Sequence, residues 1–169
     1  MVALMPHLEQ SALYERFDLQ KGYAGNLPAA RTGVRTFLCS TAREGTTGDA
    51  VTHYVAMSGI GHAAAGQPAG AAGNGFMGYD RLTSAAMITD GTSNTIALME
   101  TRVGLGPWGR GGSSTLRGFD PDVPLFGIHS LGFLTAMADG SVRFLPSSID
   151  PKRLAAAITI AGGEPVDLD

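Results

Sequence analysis

Cysteine occurs once in these 169 residues, at Cys39. No disulfide can therefore close within the chain, and no thiol pair can frame a zinc finger. A lone cysteine neither requires nor excludes an oxidising compartment. Lysine is nearly as scarce: of twelve basic residues only Lys21 and Lys152 are lysines. The arginines are scattered without a basic stripe and the net charge is −3, which argues against a nucleic-acid face. Charged residues make up 16% of the chain, below the usual quarter. No apolar run approaches the ~18 residues of a spanning helix, and no signal-peptide pattern accompanies the opening "MVALMPHLEQ". That opening reads as abrupt, as in a fragment of a longer chain.

The motifs of common chemistries are missing too. There is no G-K-[ST] for a phosphate loop and no G-x-S-x-G nucleophile elbow. "GNGFMG" (73–78) matches a dinucleotide fingerprint formally, but it sits in a Gly/Ala loop without strand or helix context. His7, His53, His62 and His129 have no zinc spacing. Glu9 with Glu15, or Glu100 with Asp90, could be named as paired carboxylates, yet nothing distinguishes them from solvated acids. The expectation is a protein without catalytic residues, cofactor or metal, and not an enzyme.

What is present is glycine (24 residues), proline (9) and a hydrophobic fraction of 44%. This describes a loop-rich globular fold with sheet, and the length suits one domain over 1–169. Leu4, Leu8, Ala12, Leu13 and Phe17 recur at helical spacing, predicting a short amphipathic helix over about 6–17. "VRTFLC" (34–39) and "VTHYVAMS" (51–58) read as strands. Residues 59–75 hold six Gly and six Ala without a charge, and read as a mobile loop. "AAMIT" and "NTIALMET" flank Asp90-Gly91-Thr92-Ser93 as strand, turn, strand. Residues 104–124 form an irregular excursion around Trp108. Asp150 as N-cap and Pro151 at the first helical position open a C-terminal helix, "PKRLAAAIT", which Gly162-Gly163 stops. The order predicts an α+β fold on a mainly antiparallel sheet, with one short helix at each end.

"HSLGFLTAMADGSVRFL" (129–145) reads as a β-hairpin. Asp-Gly is the preferred two-residue type I′ turn. Centring that turn on Asp139-Gly140 pairs Ala138 with Ser141, Met137 with Val142 and Thr135 with Phe144. Phe133, Met137, Val142 and Phe144 then share the buried face; Ala136, Ala138, Ser141 and Arg143 share the other. His129 and Asp139 end up at opposite ends of one arm, ~25–30 Å apart if extended, too far to share a metal. A histidine at a strand entrance can instead donate a ring hydrogen bond to a backbone carbonyl. In "ITDGTSNT" the side chains suit local turn bonding, with a weak Ca²⁺ site at Asp90 as the sharper alternative. Trp108 could contact a ligand by stacking, or merely anchor its loop.

Four stretches carry a resemblance: "LMPHLEQSALYERFD", "FLCS…VTHYVAMSG", "MITDGTSNTIALME" and "FGIHSLGFLTAMADGSVRFL…GGE". In this order they look like the landmarks of a bacterial family of unknown function, once also labelled solute-binding. Its members join a prepilin-type cleavage/methylation N-terminus to a C-terminal domain named for its H-x9-DG spacing. Here that spacing is His129, nine residues, then Asp139-Gly140, within a segment of about 125–169; Asp90-Gly91 marks the other block. The family's Cys-Pro-Ser has Ser40 in place of proline. The resemblance implies a pilin-like or pseudopilin-like globular head, exported to the cell envelope, periplasm or surface. It implies a membrane anchor through a leader and long N-terminal helix that are not among these residues. It implies self-assembly with other pilin-like subunits through that helix, or contact with a secretion apparatus, and a disulfide between Cys39 and a cysteine of the absent segment. The alternative class is an extracytoplasmic domain binding a small ligand or carbohydrate.

Overall fold

The computed structural model describes residues 1–42, 50–123, 127–166 and 168. Pro124 of the excursion and residues 125 and 126 at the start of the C-terminal segment fall outside them. Its centre is a five-stranded sheet of β1 (Tyr54–Ile60), β2 (Ile96–Glu100), β3 (Leu116–Phe119), β4 (Gly132–Met137) and β5 (Val142–Pro146). The spatial order is β3-β1-β2-β4-β5. Every neighbouring pair is antiparallel except β1 with β3. With α1 (Ser11–Tyr14), α2 (Leu27–Ala30) and α3 (Pro151–Ile158), this is the expected loop-rich α+β fold with a mostly antiparallel sheet.

α3 begins where the sequence places it. Asp150 Oδ1 accepts from the Lys152 amide at 2.8 Å, and Pro151 occupies the first turn, where no amide bond is lost. Its inner face, Leu154, Ala157 and Ile158, packs on Val55, Met57, Ile96, Met99, Phe133, Met137 and Leu145. Strict alternation would turn Ile96 and Met99 to opposite faces, because they lie three apart. An irregularity in the β2–β4 register between Ile96 and Leu98 brings both into this core.

The hairpin exists, but its register differs from the expected one by a residue. Ala136 pairs with Val142, Thr135 with Arg143 and Leu134 with Phe144. Gly140 adopts φ 87° and its amide bonds the Met137 carbonyl at 3.0 Å, while Met137 N donates to Ser141 O at 2.8 Å. Asp-Gly therefore lies in a longer loop with glycine in the left-handed region, not in a two-residue type I′ turn. One residue of slip exchanges the faces of β5. Leu145 is buried beside Phe133, whereas Val142 and Phe144 are 65% and 50% exposed. The sheet's second face thus carries Ala56, Leu98, Leu134, Ala136, Val142 and Phe144.

Other expectations are corrected by local chemistry. The 6–17 helix divides into a 3₁₀ segment, Val2–Leu8, and α1, because Glu9 takes a left-handed conformation at φ 58°. "VRTFLC" contains a 3₁₀ turn, Arg35–Phe37, rather than a strand: Val34 and Phe37, three apart, enter the same cluster. "AAMIT" likewise holds a 3₁₀ turn, Ala85–Met87. The excursion contains β3, and Trp108 is buried in a second core with Met5, Leu13, Ala29, Val34 and Phe37.

Residues 59–75 are pinned rather than loose, and the pin is Arg81. Its guanidinium donates to the carbonyls of Ser58, Ala64, Gln67, Gly75 and Met77 and to Asn74 Oδ1. Both terminal nitrogens of this buried arginine are thus held by oxygens without a carboxylate, while Nε has no hydrogen-bond partner among the described residues.

Candidate functional site

The residues of the H-x9-DG and Asp90-Gly91 motifs split into two groups. Asp139 Oδ1 accepts from the Ser141 amide and hydroxyl at 2.8 and 2.6 Å, which holds its carboxyl below the usual carboxylate range. Asp90 accepts the Gly162 and Gly163 amides at 2.7 and 3.0 Å, and its own amide donates to Ile160 O. A carboxylate held by N–H donors lacks the convergence of oxygens that Ca²⁺ coordination needs. The two motifs also touch: Asp139 N donates to Thr92 O, and Ala138 N to Thr95 O. Together they clasp the hairpin loop and the end of α3 to β2, a scaffold role. Trp108 is 1% exposed, its Nε1 donates to Thr32 O at 2.9 Å, and Phe17 and Phe37 stack obliquely on it. It anchors a core and offers no platform.

His129 belongs elsewhere. It closes a tight turn into β4, with Gly132 N donating to its carbonyl, and its ring edge meets Phe144. Among the described residues its Nε2 reaches no backbone carbonyl. It lies 3.6 Å from Cys39 Sγ and 3.5 Å from Glu100 Oε1. One ligand-capable atom from each of Cys39, Glu100 and His129 lies within 4.8 Å of the others.

Each side chain is placed for a distinct reason. The β2–β4 pairing runs to Met99 with Thr135. One step further, the Glu100 carboxylate replaces a strand carbonyl, with Oε2 accepting from Leu134 N at 3.1 Å. Glu100 is completely buried, and its other oxygen, Oε1, beyond the His129 contact has no hydrogen-bond partner among the described residues. Cys39 follows the 3₁₀ turn and is held by His53, which donates its amide to Phe37 O and accepts the Cys39 amide on Nδ1 at 3.0 Å. That acceptor role leaves Nε2 to carry the proton of a neutral His53 ring. Burial first, and the Glu100 carboxylate second, push the Cys39 thiol above its ordinary range. Tyr54, paired with Glu100 across β1 and β2, is raised by burial and then by charge on Cys39 and Glu100.

An activated nucleophile needs its base oriented from the far ring nitrogen by a third group. Here sulfur and carboxylate oxygen face the same nitrogen, and the three atoms cluster within 4.8 Å of one another. The sequence reading dismissed Glu100 as a surface acid and weighed His129 against Asp139 alone. The missed signal was an acid closing the apolar run "IALME", where an unpaired carboxylate is costly.

Beside this cluster the second face of the sheet forms an apolar cleft of about 580 Å³, bordered by Leu4, Phe37, Ala56, Phe76, Leu98 and Leu116 among others.

Fold and site together define a class: an α+β domain on a five-stranded sheet, one face covered by a helix, with three metal-ligating side chain types meeting beside the other. The chain belongs to the family described as "Protein of unknown function (DUF1559)", whose model matches residues 1–119. His129 and Asp139 lie beyond that match. No curated protein and no solved structure matches the chain.

Proposed function

We propose that this domain is the non-enzymatic, exported head of a pilin-like or pseudopilin-like subunit, serving secretion or surface assembly. The observation that carries the reading is the asymmetry of the sheet. α3 covers one face, while the other carries an apolar cleft bordered by Leu116, Ala56 and Leu98 and, on β5, the exposed Val142 and Phe144. Apolar surface of this extent marks an interaction site in a soluble domain. An apolar helix of the same polypeptide, entering before Met1, is the occupant that fits. Met1 and Leu4 line the cleft, so a helix continuing backward from them would emerge over this face. Among the described residues no helix is long and apolar enough to cross a membrane; in this reading the entering helix supplies the anchor.

The test is to express the whole reading frame together with a prepilin peptidase. A shortened, N-methylated product in the membrane fraction, with a cysteine at Leu98 cross-linking to one in the helix, supports the proposal. An unprocessed, freely soluble product overturns it. The cleft volume also falls in the range of small-ligand pockets, which keeps an extracytoplasmic binding domain as the second reading. A ligand displaced by Leu98→Trp would favour that reading. Trp108 cannot serve it, being enclosed in its own core.

A further inference from the structure

We infer that Cys39, Glu100 and His129 form a binding site for a single divalent metal ion of the zinc class, with its fourth position open toward solvent. Geometry carries this. An ion bound tetrahedrally at about 2.3 Å from sulfur, about 2.05 Å from nitrogen and about 2.1 Å from oxygen needs sulfur–nitrogen and nitrogen–oxygen separations of about 3.6 and about 3.4 Å. The structure has 3.6 Å between Cys39 Sγ and His129 Nε2, and 3.5 Å between His129 Nε2 and Glu100 Oε1. A second observation points to a ligand: Glu100 is wholly buried, and among the described residues its Oε1 has no hydrogen-bond partner, its polar neighbour at this point being the His129 ring nitrogen at 3.5 Å. A buried carboxylate oxygen without a short hydrogen bond costs free energy that a cation at this point would offset.

The donors select the ion. A thiolate with an imidazole favours Zn²⁺ and its neighbours, and argues against Mg²⁺ and Ca²⁺, which prefer sets made wholly of oxygen. Cys39 and Glu100 approach from inside the protein, at 5% and 0% exposure. His129, 28% exposed at its side chain, forms the outer wall, the side from which a solvent ligand would complete the set. As the metal–sulfur bond forms, the S–H bond breaks and its proton passes to solvent. The surroundings are supportive. His53 fixes the Cys39 backbone, the Leu134 amide fixes the second Glu100 oxygen, and Phe144 meets the imidazole ring. The inference does not depend on what covers the open sheet face. It does exclude a disulfide at Cys39, since ion and disulfide would compete for one sulfur.

The experiment uses the purified chain, stripped by chelator and titrated with Co²⁺ and Zn²⁺. One equivalent of Co²⁺ should give intense tetrahedral d–d bands and a thiolate charge-transfer band, which Zn²⁺ should abolish. About one proton should be released per ion, and affinity should fall about tenfold per pH unit as protons compete for sulfur. Cys39→Ser should lose the charge-transfer band. His129→Ala and Glu100→Gln should weaken binding at least tenfold, and His62→Ala should leave it unchanged. Circular dichroism confirms that each variant is folded, and protection of the wild-type Cys39 from thiol reagents by Zn²⁺ gives a readout that needs no variant. Absence of a stoichiometric cobalt spectrum in the folded wild type, an unchanged spectrum in Cys39→Ser, or Cys39 disulfide-bonded in the full-length protein would each overturn the site.

Discussion

Arg81 shows how much of this fold depends on single side chains. Its guanidinium satisfies five backbone carbonyls and Asn74. Arg81→Met would leave several buried acceptors unpaired, and should cost about 3–5 kcal/mol, read as a lower urea midpoint. Asp139 gives a milder, pH-dependent effect. Its carboxyl is held low by the Ser141 hydroxyl, then by the Ser141 amide. A folded value below the unfolded one means the contribution is present above the unfolded value and lost as pH falls through the folded one. The stability difference between wild type and Ser141→Ala should therefore shrink on acidification through the carboxylate range. A difference constant with pH would contradict the assignment.

At the level of elements, the readable features were those written locally. Asp150-Pro151 specify the start of α3 through a cap and a missing amide, and both features act within three residues. The hairpin was legible as alternation followed by Asp-Gly, but its register was not, because Asp-Gly serves both a two-residue turn and a longer loop. That ambiguity placed Val142 and Phe144 on the wrong side of β5. Gly140, at φ 87°, decides the outcome, so Gly140→Ala should cost about 1 kcal/mol in thermal unfolding. A methyl at Gly118, by contrast, would run into the Gly61 carbonyl oxygen where β3 meets β1. Gly118→Ala should detach β3, exposing the β1 edge amides to hydrogen exchange. The metal-ligand cluster was illegible for a different reason. Cys39 and His129 lie 90 residues apart, on a 3₁₀ exit and a turn, and neither periodicity nor motif spacing connects them.

Across the whole molecule, two cores share the work. One lies between α3 and the sheet; the other gathers the N-terminal segments around Trp108. Trp108→Ala should cost about 3–5 kcal/mol. Hydrogen exchange should show the loss first in Val2–Leu8 and α1, while the amides of β4 and β5 stay protected. Equal loss of protection in both regions would show that the two cores unfold as one unit. Cys39 lies beside the second core and Glu100 at the end of a strand of the first, so the proposed ion would join the two.

The last rung between β2 and β4 is made by a removable group, the Glu100 side chain, where a backbone oxygen would ordinarily stand. A ladder finished in this way can be loosened at one end by whatever draws that carboxyl aside, and tightened by whatever holds it in place. The seam between these strands would then report on the occupancy of its own terminus.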